Sequence, residues 1–316
     1  MTTTLDYRTA PAGQDLTVVP VRHYGRWVAA LAAVLALAGL VGSLATNANL
    51  RWDIIGNYLF ADLIFDGLAT TLWLTVAAMA LGLALGTVIA VMRLSSNPVL
   101  YGLSSLFVWA FRGTPLLVQI IFWGYAGALY KNVLIGIPFT DITFFQADTN
   151  SLLTPAVAAL LALGLNEAAY ASEIVRAGIQ SVDSGQAEAA HSLGMRPALT
   201  MRRIVLPQAM RVIIPPMGNE TINMLKMTAL VSVIAAHDLM SNIQEVYAQN
   251  YQVIPMLVVA SLWYLALVSL LSFPQAWLER RYGRGTAHGG HTSPLRRMFT
   301  GFTRASAPKT GKEEGR

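Results

Sequence analysis

Polar side chains recur at helical spacing inside a long apolar stretch near the middle of the sequence. Asn166, Tyr170 and Glu173 are separated by four and then three residues, and Glu167 lies beside Asn166. Residues at this spacing lie on one face of an α-helix. An amide, a phenol and carboxylates on one helix face could bind a polar, zwitterionic solute.

A second apolar stretch carries a similar stripe. Charges inside a membrane span cost about 2.5–3.5 kcal/mol, so each needs a partner, a water-filled cavity or a function. Two such stripes on neighbouring helices predict a shared hydrophilic cavity through which a substrate passes. The candidate pathway residues are Asn166, Glu167, Tyr170, Asn219, Glu220, Asn223 and Lys226.

A purely structural interpretation of these residues stays open. Lys226 could pair with Glu173 or Glu220 and so stabilise the bundle. Glu173 is close to Arg176 and to the predicted end of its span, so we expect it to be an ion-pair residue. Glu167 lies deeper in the apolar run, and our hypothesis is that it contacts the substrate together with Asn166 and Tyr170.

The sequence shows no enzyme chemistry. His237 and Asp238 form one dyad without a nucleophile, so a capping or loop role is predicted for them. His288 and His291 lie in a Gly-rich tail, and two histidines there are weak evidence for a metal site, so none is predicted. The sequence has no Gly-x-x-x-x-Gly-Lys-Ser/Thr phosphate loop. We predict no catalytic residue and no bound cofactor, and any ATP must be used by a partner.

The composition is that of an all-α integral membrane protein. Apolar residues make up 54% of the chain and charged residues 12%, against about 25% charged in a soluble domain. Several uncharged runs exceed the ~18 residues that indicate a membrane span. The segment from Arg280 to Arg316 holds nine Lys/Arg against two Asp/Glu. This basic tail indicates a membrane surface and not nucleic acid as the partner.

Six transmembrane helices are predicted from the apolar runs, at about 27–45, 67–92, 113–130, 152–174, 207–236 and 253–277. Lys and Arg concentrate on one side of this topology, which places both termini in the cytoplasm. Ser43-Leu44-Ala45 resembles a signal-peptide cleavage site, but the run before it is too long, so a retained helix is favoured over a cleaved one. Residues 1–26 and 282–316 are predicted to be disordered.

Two local patterns predict how the spans pack and begin. Small residues recur every fourth position in the second span, which favours close helix packing in lipid. This strip consists of Ala78, Gly82, Gly86 and Ala90. Before the third span, Thr114 is predicted to cap the helix and Pro115 to occupy its first turn. Arg112 and Gly113 complete this structural motif, with Arg112 near the lipid headgroups.

A polar, basic loop at residues 185–207 separates the fourth and fifth spans. It is long enough for two short helices, with Gly194 as the C-cap of the first and Pro197 at the start of the second. Apolar side chains lie beside cationic ones, which predicts a surface that docks on another protein. The apolar ones are Met195, Leu199 and Ile204, and the cationic ones are Arg196, Arg202 and Arg203.

The spacing of this loop resembles the EAA loop of ABC-importer permeases. The matching positions are Gly185, Glu188, Ala189, Ala190, Gly194, Ile204, Leu206 and Pro207. Further matches are Gly67-Leu-Ala-Thr-Thr-Leu72, Phe111-Arg-Gly-Thr-Pro-Leu-Leu117 and Ala169-Tyr-Ala-Ser-Glu-Ile174. Together the segments resemble the histidine/glutamine/arginine-type permeases of polar amino acid importers, over about residues 49–281.

The resemblance implies a type I (MetI-like) permease domain at residues 60–281, with five core helices and an extra N-terminal helix at 27–45. It implies a cytoplasmic ABC ATPase dimer that uses ATP and Mg and grips the EAA loop. The other implied partners are a second permease subunit, identical or homologous, an extracytoplasmic amino-acid-binding protein and the lipid of a bacterial inner membrane. The segment Lys226-Met-Thr-Ala-Leu230 departs from the family pattern, so the amino acid carried stays open.

A self-contained secondary transporter or channel is the alternative, with intramembrane Glu and Lys acting as a proton relay. We find no internal repeat of the kind that marks many secondary transporters. Such a protein also has no need of a cytoplasmic helix pair that docks on a partner. The loop at 185–207 therefore favours the ATP-driven importer.

Overall fold

The computed structural model describes residues 24–136 and 143–282 of the chain. The sequence predicts disorder for residues 1–26 and 282–316. Of these, residues 1–23 and 283–316, and with them His288 and His291, lie outside the described residues. The prediction is wrong for residues 24–26 and for Tyr282, which are helical. The chain divides into two compact units, with the boundary between Arg51 and Trp52.

The first unit contains helix α1, Tyr24–Ala45, which begins slightly before the predicted start at Trp27. Its stretch Trp27–Ala45 has 19 residues and a mean hydropathy of 2.4. At 1.5 Å per residue this stretch is about 28 Å long, close to the ~30 Å hydrocarbon thickness of a bilayer. Its apolar side chains are exposed, as expected of a helix surrounded by lipid.

The second unit is a helical bundle with one small β-hairpin. Its elements are α2 Trp52–Leu59, α3 Asp62–Arg93, α4 Pro98–Gly113, α5 Leu116–Gly124, α6 Ala126–Leu129, β1 Asn132–Gly136, β2 Thr143–Asp148, α7 Thr149–Leu152, α8 Pro155–Gln180, α9 Ser184–Ser192, α10 Pro197–Thr200, α11 Leu206–Met227, α12 Leu239–Asn250 and α13 Val253–Tyr282. A π-helical turn, Met201–Val205, joins α10 to α11. A 3₁₀ segment, Thr228–Ile234, follows α11.

Four of the described helices are each long and apolar enough to cross a membrane: α1, α3, α8 and α13. Two bent pairs raise this number to six if each pair forms one span. The first pair is α4 with α5, bent by 100°, and the second is the helix Pro197–Ile234 with α12, bent by 45°. The six predicted spans thus correspond to the upper count.

The prediction that Thr114 caps the third span and that Pro115 occupies its first turn is wrong. Thr114 is instead the C-cap of α4 in extended conformation, and its hydroxyl donates to the Ala110 carbonyl at 2.8 Å. Pro115, not Thr114, is the N-cap residue of α5. Proline disfavours helical geometry in the residue before it, so the helix stops at Gly113 and restarts in a new direction.

The core of the bundle is the contact of α3 with α8. The predicted strip Ala78, Gly82, Gly86 and Ala90 is fully buried. A Cβ atom on Gly86 would lie 2.8 Å from the Cβ of Ala171 and 2.9 Å from the Ala168 carbonyl oxygen. The two backbones therefore touch, and the predicted packing role of the strip is confirmed.

The hairpin lies between the third and fourth predicted spans, where the sequence analysis predicts no strand. Strands β1 and β2 are antiparallel, with Leu134 opposite Gln146 and Asn132 opposite Asp148. The Asp148 carboxylate then caps α7 by accepting from the Asn150 amide at 2.9 Å. The hairpin and α7 lead directly into α8.

Gly86→Ala tests the α3–α8 contact. The added methyl group overpacks the contact, so we expect a loss of about 1–3 kcal/mol in unfolding free energy. Gly102→Ala in α4 is the matched control, because nothing lies within 4 Å of its Cβ position. Alanine favours helix over glycine by about 0.5–1 kcal/mol, so the control keeps or gains stability. Equal thermal shifts for the two variants in detergent would contradict the contact.

Candidate functional site

The first polar stripe lies on α8, as the sequence predicts. The helix begins with a Thr154 cap and Pro155 in the first turn. Asn166 and Glu167 are buried, whereas Tyr170 is 38% exposed. The stripe therefore runs from the protein interior at Glu167 to a partly open surface at Tyr170.

The Asn166 side chain holds the bend between α4 and α5. Its amide nitrogen donates to the Phe111 carbonyl at 3.2 Å and to the Gln119 side-chain oxygen at 3.3 Å. The Gln119 nitrogen donates to the Phe111 carbonyl at 2.8 Å and to the Thr114 carbonyl at 3.1 Å. These bonds satisfy carbonyls that the broken helix leaves without partners. Sequence reasoning missed Gln119, although an isolated glutamine in the apolar run after Pro115 is a detectable signal.

Glu173 is an ion-pair residue, as predicted, and three arginines surround it. One carboxylate oxygen accepts from Arg93 at the end of α3, and the other accepts from Arg176 at 2.6 Å. Arg112, at the end of α4, lies 3.8 Å from the carboxylate and 5.1 Å from the centre of the Tyr170 ring. The cluster joins α3, α4 and α8 at one end of the bundle.

The pairing of Lys226 with Glu173 or Glu220, which the sequence leaves open, does not occur. Lys226 is exposed and has no carboxylate within 4.0 Å among residues 24–136 and 143–282. Glu173 pairs instead with Arg93, Arg112 and Arg176. Lys226 stands in the last turn of α11, where a cation is favoured by the helix dipole.

Glu167 is the most enclosed charged group of the stripe. Its side chain is 3% exposed, packs against Gly82 of α3, and one carboxylate oxygen has no hydrogen-bond partner among the described residues. Glu220 lies on α11, which packs against α8. Asn219 is exposed, and Glu220 and Asn223 are half-buried. Two carboxylates on adjoining helices favour a cation, because each lowers the cost of placing positive charge beside the other.

The loop forms a capped helix, as the sequence predicts. The Asp183 carboxylate caps α9 by accepting from the Gly185 amide at 2.7 Å. Gly194 has φ +78°, and the Met195 amide donates to the Ala190 carbonyl at 3.1 Å. This is the glycine C-cap arrangement. Pro197 is the first residue of α10, also as predicted.

Glu188 and Ala189 are exposed on α9, whereas Ala190 is buried. The other exposed residues of the helix are Ser184, Gly185, Gln186, His191 and Ser192. Leu193 is 85% exposed, and the sequence analysis did not single it out. It comes directly before the capping glycine, and a leucine at that position of a polar loop is the signal that was available.

The second loop helix is not separate from the membrane span. The π-helical turn that contains Ile204 carries α10 directly into α11, of which Leu206 and Pro207 are the first two residues. Proline has no N–H to donate, so it disturbs the regular hydrogen bonding of the preceding turn. Because α9 packs on this π-helical turn and on α10, the loop is mechanically joined to the helix that bears Glu220.

Asp238 has the predicted capping role. Its carboxylate accepts from the amides of Met240 at 3.0 Å and Ser241 at 3.1 Å and so caps α12. Within residues 24–136 and 143–282, no group of three or more His, Cys, Asp or Glu could hold a metal ion.

These features define the class of the protein. It is a multi-span helical membrane protein with a polar stripe inside the bundle and an exposed, capped helix between two spans. The sequence profile described as "Binding-protein-dependent transport system inner membrane component" matches residues 82–284. The chain belongs to this family and is the permease subunit of a polar amino acid ABC importer, a non-catalytic membrane component.

Individual relatives agree. The chain is 45% identical to the arginine transport system permease protein ArgU of Corynebacterium glutamicum, over 84% of this chain and 83% of that one. It is 35% identical to the L-cystine transport system permease protein TcyB of Bacillus subtilis, over 78% and 97% of the two chains. Both matches extend over most of each protein.

Solved structures confirm the fold. A chain of the crystal structure of an amino acid ABC transporter with histidines matches with a TM-score of 0.58 at 36% identity, covering 69% of this chain and 94% of that one. The MetNI methionine ABC transporter in an inward-facing conformation matches with a TM-score of 0.55 at 19% identity, covering 75% and 99%. The second match shows the shared MetI-like, type I importer fold alone.

Glu173→Gln tests the ion cluster. The substitution leaves Arg93, only 15% exposed, without its counter-charge. Breaking a fully buried pair costs about 3–5 kcal/mol, and partial exposure reduces the expected loss to about 1–3 kcal/mol. Arg112→Gln should cost less, because Arg112 is the most exposed of the three arginines and the farthest from the carboxylate. Thermal unfolding measures the stability of both variants, and Glu245→Gln, at an exposed position of α12, is the control. Equal shifts in melting temperature for Glu173→Gln and the control would contradict the cluster.

Proposed function

We propose that this permease imports a cationic amino acid into the cytoplasm, driven by an ABC ATPase dimer that docks on α9. The observation that carries the proposal is the unbroken structural connection from α9 to α11. The exposed α9 packs on a π-helical turn that runs without interruption into α11. Helix α11 carries Glu220 and packs against α8, the helix of Glu167.

Docking on α9 is supported by its shape and surface. The helix is capped at both ends, so it keeps its form when a partner pushes on it. Leu193 offers an exposed apolar side chain, and Arg196, Arg202 and Arg203 are exposed around it. The coupling residues of the proposal are Gly185, Glu188, Ala189, Ala190, Gly194, Ile204, Leu206 and Pro207. A displacement of α9 would tilt α11 relative to α8, which is a two-state motion biased by the partner.

The cationic substrate is supported by charge and by the relatives. Glu167 and Glu220 would attract a positively charged side chain, while Asn219, Asn223 and Tyr170 would offer hydrogen bonds to the amino and carboxylate groups. Asn166 would act by fixing the α4–α5 bend beside the pathway, and Lys226 would lie at its rim. Two of the relatives, ArgU of C. glutamicum and ArtQ of B. subtilis, are arginine transport system permeases.

The remaining partners follow from the transporter class. An extracytoplasmic binding protein would deliver the amino acid, and a second permease subunit, identical or homologous, would complete the pathway. ATP and Mg would be used by the ATPase alone. The permease domain would occupy residues 60–281, with 27–45 as an additional helix, both termini in the cytoplasm and the chain in a bacterial inner membrane.

Gly194→Val tests the coupling role. Valine at φ +78° is strained by roughly 1–2 kcal/mol or more, since only glycine and asparagine adopt this conformation readily. We expect the variant to reach the membrane but to lose ATPase copurification and most ATP-driven uptake. Gly194→Asn is the matched control and should retain both. If Gly194→Val kept full uptake and ATPase binding, α9 would not be the coupling element.

Glu167→Gln tests the substrate assignment. Loss of one charge-assisted contact costs about 1.5–3 kcal/mol, so arginine affinity should fall roughly 10- to 100-fold in binding-protein-driven uptake assays. Glu245→Gln, an exposed carboxylate on α12, should leave uptake unchanged. If Glu167→Gln and Glu167→Ala both kept wild-type kinetics and substrate preference, Glu167 would not belong to the pathway.

A further inference from the structure

The hairpin between α6 and α7 is the part of the bundle that the permease function does not explain. Both of its roots lie in the helical bundle: β1 begins shortly after α6, and β2 leads through the short α7 into the membrane span α8. α9 follows the opposite end of α8, which at 26 residues is about 39 Å long. The hairpin thus belongs to the end of the bundle away from α9.

The surface of the hairpin is apolar and aromatic. Phe144 is 71% exposed, and similar exposure is found along the hairpin and at the ends of the helices that lead to it. We call these side chains the aromatic ridge, which consists of Tyr125, Leu129, Tyr130, Leu134 and Phe144. Tyr and Trp are enriched where a membrane meets water, because their amphipathic rings sit at the level of the headgroups. Tyr125 and Tyr130 are residues of this kind.

The two strands carry almost no charge. Asp148 is the single ionisable residue of β1 and β2 as described, and its carboxylate is engaged in capping α7. A two-stranded hairpin with exposed apolar side chains is marginally stable in water. Lys131 is exposed directly before β1, so this charge lies at the edge of the hairpin and not on its strands. A strand surface with so little charge at the root of a span fits a lipid interface better than a soluble protein partner, whose contacts carry a polar rim.

We propose that the aromatic ridge inserts into the headgroup layer of the bilayer leaflet on the side opposite α9, with lipid as its partner. The hairpin then lies along the membrane surface and does not project into water. Its strand hydrogen bonds are protected there, and the entrance to α8 is held at a fixed depth. The inference stands on the hairpin alone and is independent of the proposed substrate and coupling.

The chain offers a direct test, because it contains no cysteine. Phe144→Cys in the otherwise unchanged transporter provides one site for a nitroxide spin label, and the labelled complex is reconstituted in phosphatidylglycerol/phosphatidylethanolamine vesicles. Collision with oxygen, which concentrates in lipid, is compared with collision with a water-soluble nickel chelate. Two labelled variants supply references: Phe273→Cys on the exposed apolar surface of α13, and Ser96→Cys in the exposed turn between α3 and α4.

We expect the accessibility of residue 144 to shift toward oxygen, as at residue 273, and away from the nickel chelate that reaches residue 96. Accessibility to nickel equal to that at residue 96 would overturn the proposal. So would a label that is exposed to water until an amino-acid-binding protein is added, since that protein would then be the partner. Leu134→Cys, on the same face of the hairpin as Phe144, repeats the measurement if the first variant fails to assemble.

Discussion

Close contact between α3 and α8 is the constraint on which the rest of the bundle depends. In lipid, apolar side chains gain little from meeting one another, so helices associate where small residues allow their backbones to approach. Gly82 and Gly86 on α3 provide that approach, and Ala168 and Ala171 of α8 fill it. The contact also places Glu167 deep in the bundle, because its methylene groups pack directly on Gly82.

A second layer of structure is added by polar groups that bridge helices. The Glu173 cluster joins α3, α4 and α8 through arginines. Farther along the same stripe, Asn166 and Gln119 bond the α4–α5 bend to α8. Such bonds replace water for groups that lipid cannot satisfy. Four helices, α3, α4, α5 and α8, are thereby fixed to one another, while α11 meets α8 without an ion pair among the described residues.

The membrane spans and the capped loop could be predicted from the sequence because their physical requirements are local. A span needs about 20 apolar residues, and Gly194 and Pro197 mark helix boundaries through their own backbone geometry. The pairing of Glu173 with arginines instead of Lys226, and the bend at Thr114, could not be predicted in this way. They depend on how α8 is rotated against its neighbours and on Gln119 reaching back to Phe111. The hairpin was missed because its strands are short and lack regular alternation.

The amide bridge between Asn166 and Gln119 has a consequence for how the bundle can deform. A helix break whose carbonyls bond only to water can change its angle, because water molecules exchange freely. Here the carbonyls of Phe111 and Thr114 accept hydrogen bonds from side chains of α5 and α8. Straightening the bend would break these bonds and leave the carbonyls without partners in an apolar environment. The bend between α4 and α5 is therefore rigid and does not act as a hinge. Helices α4, α5 and α8 form a fixed unit, relative to which another helix must move.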